Sequence, residues 1–275
     1  HETEWHLAPL KEKRSLLVVG GGPAGIEAAR VGAERGFEVT LWEATDRLGG
    51  NLWLAAKPDF KHDIADYINY LTNLVQRKPI DVVLNKKATA EDIQNFGADY
   101  VIIATGAQME PPTFDGDNVL TTFQVMSGTQ PPGDKILIMG AGVIGCETAV
   151  YLAGQGKQVD LCARMDADDL DMDTIDHNNR FMLLKILKET PDITVHRGAI
   201  PVRLENGGVV VEQQGGEKKI LMDSLVFAGR LFPKNELSES LKNADNVISI
   251  GDCTEPSTIM EAVWGAFNTV REIEL

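Results

Sequence analysis

Leu16-Leu17-Val18-Val19-Gly20-Gly21-Gly22-Pro23-Ala24-Gly25-Ile26-Glu27-Ala28-Ala29-Arg30 decides how this chain is read. An apolar run enters a glycine turn and a helical pattern leaves it, which is the context a G-x-G-x-x-G match needs before it points to a dinucleotide. Gly20 permits the tight turn, Gly22 lets backbone approach a pyrophosphate, and Gly25 lets the helix pack on the strand. Pro23 and Ala24 open the helix, where free N–H groups and the positive dipole end favour phosphate. A second run, Glu38-Val39-Thr40-Leu41-Trp42, ends at Glu43, 18 residues beyond Gly25. A carboxylate there can accept both hydrogen bonds of a ribose diol.

The pattern occurs twice. Gly140-Ala141-Gly142-Val143-Ile144-Gly145 follows Lys135-Ile136-Leu137-Ile138-Met139 and opens a helix from Cys146 to Ala153; the strand Gln158 to Cys162 comes next. Two nucleotide-binding units imply two dinucleotides, most economically a flavin nucleotide and a nicotinamide nucleotide. The expected fold is α/β, with two Rossmann-like three-layer domains.

Composition narrows the function. With 41 acidic and 26 basic side chains the formal charge is −15, a surface that repels nucleic acid and anionic membranes and aids solubility. No apolar run approaches the ~18 residues of a membrane span, and no signal-peptide pattern opens the chain. Cys146, Cys162 and Cys253 lie far apart with no C-x-x-C. That removes a redox-active dithiol and a cluster ligated by this chain's cysteines alone. Reduced cysteines suit the cytoplasm. Beginning at His1 rather than Met, the chain reads as a piece of something longer.

Residues 1–14 read as a lead-in. After Glu43, the loop Ala44 to Trp53 places a guanidinium, Arg47, and paired glycines beside the proposed ribose site. Ala44, Arg47, Gly50 and Asn51 are therefore candidate contacts to a large cofactor, with an ordinary strand-to-helix turn as the alternative. Phe60 to Val75 has the apolar spacing of an amphipathic helix. Two runs end in small residues, Val101 to Ala104-Thr105-Gly106 and Val226 to Ala228-Gly229, so that chain can pass close to a ligand; this second echo suggests an internal duplication. Pro111-Pro112 and Pro131-Pro132-Gly133 bracket residues 113–131, read as a crossing into a second domain over 132–230. The first domain then comprises 15–112 and 231–275. Asp168, Asp169, Asp171, Asp173 and Asp176 lack the glycine of a calcium loop and read as a solvated helix lead-in; no histidine pair has metal-ligand spacing. The strand Asn246 to Ile250 ends in Gly251-Asp252, and the following helix aims its N-terminus, near Ile259 and Met260, toward an electron-rich ring.

These stretches, together with Val39 to Gly50 and Gly145-Cys146-Glu147-Thr148-Ala149, resemble the two-dinucleotide-domain flavoprotein oxidoreductases along nearly the whole chain. The likeness is greatest to the C-terminal FAD/NAD(P)H portion of the 2,4-dienoyl-CoA reductase, enoate reductase and trimethylamine dehydrogenase group. The resemblance implies that Gly20 to Gly25 hold the FAD pyrophosphate and Glu43 its ribose. It also implies that Asp252 meets the ribityl or phosphate, that Ile259-Met260 face the pyrimidine end, and that Gly140 to Gly145 hold NAD(P)H. It implies an FAD domain interrupted by the nicotinamide domain. Relatives carry an N-terminal barrel with FMN and a 4Fe–4S cluster, so the expected partner is such an electron-accepting barrel or a carrier protein.

One position departs from the family. Ala163 stands where the second acid belongs, and Arg164 follows. A guanidinium can pair with a 2′-phosphate, which leans toward NADPH. Against it stand the solitary arginine, Asp166 and Asp168, and Gly145, so NADH stays open. The expected reaction is hydride transfer from NAD(P)H to FAD, which requires no acid, base or nucleophile, and no catalytic side chain is assigned. A thioredoxin-reductase role lacks its C-x-x-C. A self-contained reductase for a carrier protein and a non-catalytic nucleotide-binding module remain as alternatives.

Overall fold

A computed structural model describes residues 6–166, Leu170 and 176–274. The chain divides into two units: residues 1–56, 61–108 and 231–275 form the first, and residues 57–60 and 109–230 the second.

In the first unit five parallel strands run in the spatial order Val247–Ser249, Tyr100–Ile103, Ser15–Val19, Glu38–Trp42, Ile80–Val83. Strand alternation sends Leu16 and Val18 to one face and Leu17 and Val19 to the other. The first face is covered by the helices Pro23–Arg35, His62–Gln76 and Ile259–Glu272, which bury Ile26, Ile68, Leu71 and Ala266 against it. The second packs on Ile93 of the helix Ala90–Phe96 and on Leu241. The result is three layers. Arg35 is 1% exposed; it donates to the carbonyls of Ala8, Val270 and Ile273 and so ties the first helix to the last.

The second unit repeats the plan with the order Val119–Thr121, Ser224–Phe227, Lys135–Met139, Gln158–Ala163, Ile193–Arg197, again all parallel. The helices Val143–Gly154 and His177–Glu189 cover one face. An antiparallel sheet of Ala199–Glu205, Gly208–Gln213 and Gly216–Leu221 covers the other, burying Val209, Val211 and Ile220 against Leu137 and Leu225.

The stretch 113–131 is not a bare crossing. Val119–Thr121 forms an edge strand on Ser224–Phe227, and Thr121 with Gln124 builds a reciprocal cap on the helix Thr122–Ser127. Of the acidic cluster, Asp168, Asp169, Asp171 and Asp173 lie outside the described residues. Asp176 caps the helix His177–Glu189, accepting from Asn178 N at 2.9 Å. Among the described residues no helix is long and apolar enough to cross a membrane.

Candidate functional site: two glycine turns at two switch points

Each glycine turn leaves the central strand of its sheet, where the strands on either side connect in opposite directions; such switch points are where open α/β sheets bind ligands. The two turns agree in detail. Gly20 and Gly140 both have φ +112°. Their amides donate to the ends of the neighbouring strands, Trp42 O at 2.7 Å and Cys162 O at 3.2 Å. A Cβ on Gly20 would strike the Ala104 carbonyl, and one on Gly140 would lie 2.6 Å from the Ala228 carbonyl oxygen. Likewise a Cβ on Gly25 would strike the Gly20 carbonyl, and one on Gly145 the Gly140 carbonyl. Gly25 and Gly145 therefore serve helix-on-turn packing rather than contact with a ligand.

The helices behind these turns begin in an unusual way. Gly22 and Gly142 are their N-caps, in extended conformation, with no side-chain cap and no acidic residue in the first turn. By contrast Thr89, Thr121 and Thr258 cap their helices through complete capping boxes. A helix start without a side-chain acceptor leaves N–H donors to an external anion. Nothing lies within 4 Å of where a Gly22 Cβ would stand, so the approach to those donors is open.

A cavity of about 1040 Å³ opens over the first turn, lined wholly by first-unit residues. Its volume matches an extended dinucleotide; ligand sites generally span ~300–1,000 Å³. Its lining includes Gly20, Gly22, Pro23, Ala24, Glu43, Ala44, Arg47, Gly50, Asn51, Ala104, Thr105, Gly106, Asp252 and Ile259. Gly251 is left out of the lining: it has φ +66°, and a Cβ there would come 2.9 Å from the Ala24 Cβ, so it lets the Asp252 turn pack on the first helix. Met260 is 64% exposed and does not line the cavity. The last helix is also less free than expected: Thr258 Oγ1 accepts from Glu261 N, while the Glu261 carboxylate accepts from Thr258 N and from the Ser257 hydroxyl. Of its first-turn donors, Glu261 N is thus answered from within.

Glu43 is 7% exposed and works harder than a simple ribose acceptor. One carboxylate oxygen accepts from Gly21 N at 2.7 Å; the other accepts from Thr45 N at 2.7 Å and Thr45 Oγ1 at 2.8 Å. A carboxylate offers about four acceptor positions. Three are taken by the fold, leaving room for one further donor rather than the two of a ribose diol. Asp252 accepts from Ser257 N at 3.2 Å, and burial pushes its carboxyl above the ordinary range.

In the second unit, Gly140, Gly142, Val143, Ile144 and Gly145 form the matching turn and helix start. A Cβ on Gly229 would collide with the Phe227 ring, so Gly229 lets the chain fold back over that ring. Ala163, fully buried, ends its strand directly opposite Arg197, and Arg164 is exposed just beyond.

Residues 14–246 match the family described as pyridine nucleotide-disulphide oxidoreductase. The chain belongs to that family. Among pyridine nucleotide-disulphide oxidoreductase relatives, a cinnamate reductase of Clostridium sporogenes is 36% identical over 275 residues, covering 99% of this chain and 41% of the relative. An NADH oxidase of Thermoanaerobacter brockii is 32% identical over 276 residues, covering 97% and 42%. A solved 2-naphthoyl-CoA reductase superposes with a TM-score of 0.91 at 29% identity, over 98% of this chain and 41% of that one. The chain thus spans under half the length of the relatives it matches. Its likeness to the two-domain flavoprotein oxidoreductases, drawn above from the glycine turns, is borne out, as is the parallel α/β fold.

Arg47, named from the sequence, stacks its guanidinium 4.4 Å above the Trp53 ring. Among the lining residues that escaped the motif reading, Lys86 lies 5.1 Å above Trp42 while pairing with Asp92 at 2.6 Å. Lys234 also lines the cavity; its amide donates to Gly106 O and its carbonyl accepts from Thr105 Oγ1. Lys86 and Lys234 lie far apart in the sequence with no motif around them, and only the fold brings both to the cavity.

Proposed function

We propose that this chain is the electron-input module of a flavin oxidoreductase, carrying hydride from NAD(P)H to FAD and sending electrons on to an accepting domain or carrier protein. The observation that carries the reading is the pair of uncapped helix starts at two switch points, one under a dinucleotide-sized cavity. In this reading FAD occupies the first unit and NAD(P)H the second. When bound, the nicotinamide supplies a hydride with its electron pair, and the flavin supplies the ring that accepts it.

The protein's part is to hold and orient. The amide of Ala24, in the first turn of the helix, meets the pyrophosphate, Glu43 accepts from one ribose hydroxyl, and Arg47, fixed by Trp53, screens the phosphate charge. Asp252 sits at the ribityl side. The relatives' extra length supports an electron acceptor beyond these residues, of the iron–sulfur and FMN barrel kind the family resemblance suggests. Three free, buried cysteines suit a reducing cytoplasm.

A second reading, a nucleotide-binding module that transfers no hydride, draws on Ala163. The two part under anaerobic titration of the FAD-loaded chain. Bleaching of the visible flavin band by NADH or NADPH supports the input module; bound flavin that stays oxidised with both supports the silent module.

A further inference from the structure

A second cavity, of about 510 Å³, lies in the first unit beside the one already described. Along the edge strand Ile80–Val83, alternation turns Ile80 and Val82 toward the helical face of the sheet. The helix His62–Gln76 ends there and leaves both half-buried. Ile80, Val82 and Leu84, with Val75 and Leu48, give the cavity an apolar lining. Its size falls within the ~300–1,000 Å³ of small-molecule sites.

The two cavities share three residues, Asp46, Arg47 and Trp53. The Arg47 guanidinium lies 4.4 Å above the Trp53 ring, and Trp53 is itself pinned, its Nε1 donating to Leu48 O at 2.8 Å. A Cβ on Gly49 would stand 2.7 Å from that nitrogen, so the shared wall needs glycine at this turn. Stacking uses the face of a guanidinium and leaves its N–H edge unspent. Among the described residues that edge has no carboxylate or carbonyl partner, although the chain carries 41 acidic side chains. Arg14, Arg30 and Arg203, by contrast, all pair with glutamates. Donors held in place beside an apolar lining suit a ligand that brings an acceptor and a hydrocarbon body. Lys78 also lines the cavity but is engaged by Glu34 at 2.8 Å. Asp46 sets a limit: with this acid in the lining, Arg47 accommodates one negative group and not a polyanion.

We propose that this cavity is a second ligand site, taking a small apolar monocarboxylate with its carboxylate on Arg47 and its hydrocarbon on Val75, Ile80 and Val82. Through Arg47 the site is coupled to the dinucleotide cavity. A carboxylate that takes up the Arg47 donors removes positive charge from the neighbouring wall, so each ligand weakens the other by the same factor. The site rests on first-unit geometry alone; the coupling also rests on the reading that FAD occupies the larger cavity.

The test uses the full chain, FAD-free and FAD-loaded, with 4-phenylbutanoate as probe and 4-phenylbutanamide as its uncharged counterpart in calorimetry. The carboxylate should bind the FAD-free protein once per chain and at least about fivefold more tightly than the amide, the scale of a charge-assisted hydrogen bond at an open site. Arg47→Met should remove that difference. Leu84 is 37% exposed and lines only the smaller cavity. Leu84→Glu should therefore weaken the carboxylate about tenfold and leave FAD retention on gel filtration unchanged. Saturating FAD should weaken the carboxylate several-fold without abolishing its binding. Absence of binding, equal binding of acid and amide, or carboxylate binding untouched by Leu84→Glu overturns the site. Complete displacement by FAD would merge the two cavities into one site and overturns it as well, while FAD affinity indifferent to the probe overturns the coupling. A chain that takes up no FAD counts against the FAD reading, and the FAD-free measurements still decide this site.

Discussion

Glu43→Gln is the substitution whose effect follows most directly from the geometry. The wild-type carboxylate accepts three hydrogen bonds, one from Gly21 N and two from Thr45, in a place almost closed to solvent. The amide keeps the shape but turns one acceptor into an NH₂ donor. Whichever way it flips, that group faces a backbone N–H, at Gly21 or at Thr45. One buried donor then loses its partner, at about 1–3 kcal/mol, and the remaining bonds lose their charge assistance. The expected loss is about 2–4 kcal/mol in the FAD-free protein, before any cofactor contact is counted. The assay is urea unfolding of FAD-free protein followed by tryptophan fluorescence; the described tryptophans Trp42, Trp53 and Trp264 all belong to the first unit. FAD binding by the variant should weaken as well. If the FAD-free variant unfolds within about 0.5 kcal/mol of wild type, the range of an indifferent surface change, Glu43 is not the brace of the glycine turn.

The other predictions concern the packing around the same cavity. Gly25→Ala drives a Cβ into the Gly20 carbonyl; prising helix from turn should cost about 1–3 kcal/mol and abolish tight FAD binding, seen by unfolding and by flavin retention on gel filtration. Arg35→Ala leaves the carbonyls of Ala8, Val270 and Ile273 without their donor, and the first-unit transition should fall by about 2–4 kcal/mol. Asp252→Asn tests a pKa direction. Burial raises the folded carboxyl above its ordinary value of 3.8, so the acid favours the fold below that pH and loses its contribution as pH climbs through the raised value. The FAD-free Asn variant should therefore be the more stable at pH 7, with the gap closing as pH drops toward 3.8; a gap that is constant with pH would contradict the burial argument.

Much of this was legible in the residues because the informative signals are local. A glycine turn between an apolar run and a helical pattern fits within a dozen residues, and its second copy confirms the period at which the fold repeats. What escaped depended on distance. Val119–Thr121 is three residues long, too short for alternation to show, and finds its place only by pairing with Ser224–Phe227. Arg197 comes opposite Ala163 only through parallel register, and register is invisible in sequence until the strands are paired. Met260 was placed with Ile259 as a facing pair, yet consecutive helical residues point about 100° apart, and only Ile259 reaches the cavity. Glu43 was found, but its three internal hydrogen bonds depend on the Thr45 and Gly21 backbones curling around it. That is a property of the folded turn rather than of the motif.

The most direct test of the whole account is an anaerobic visible spectrum of the FAD-loaded chain before and after one equivalent of NADPH. The account predicts one FAD per chain and loss of its oxidised absorbance on mixing. A chain that takes up no FAD would contradict the reading of Gly20 to Gly25, and one FAD that stays oxidised with NADPH and NADH alike would contradict hydride input.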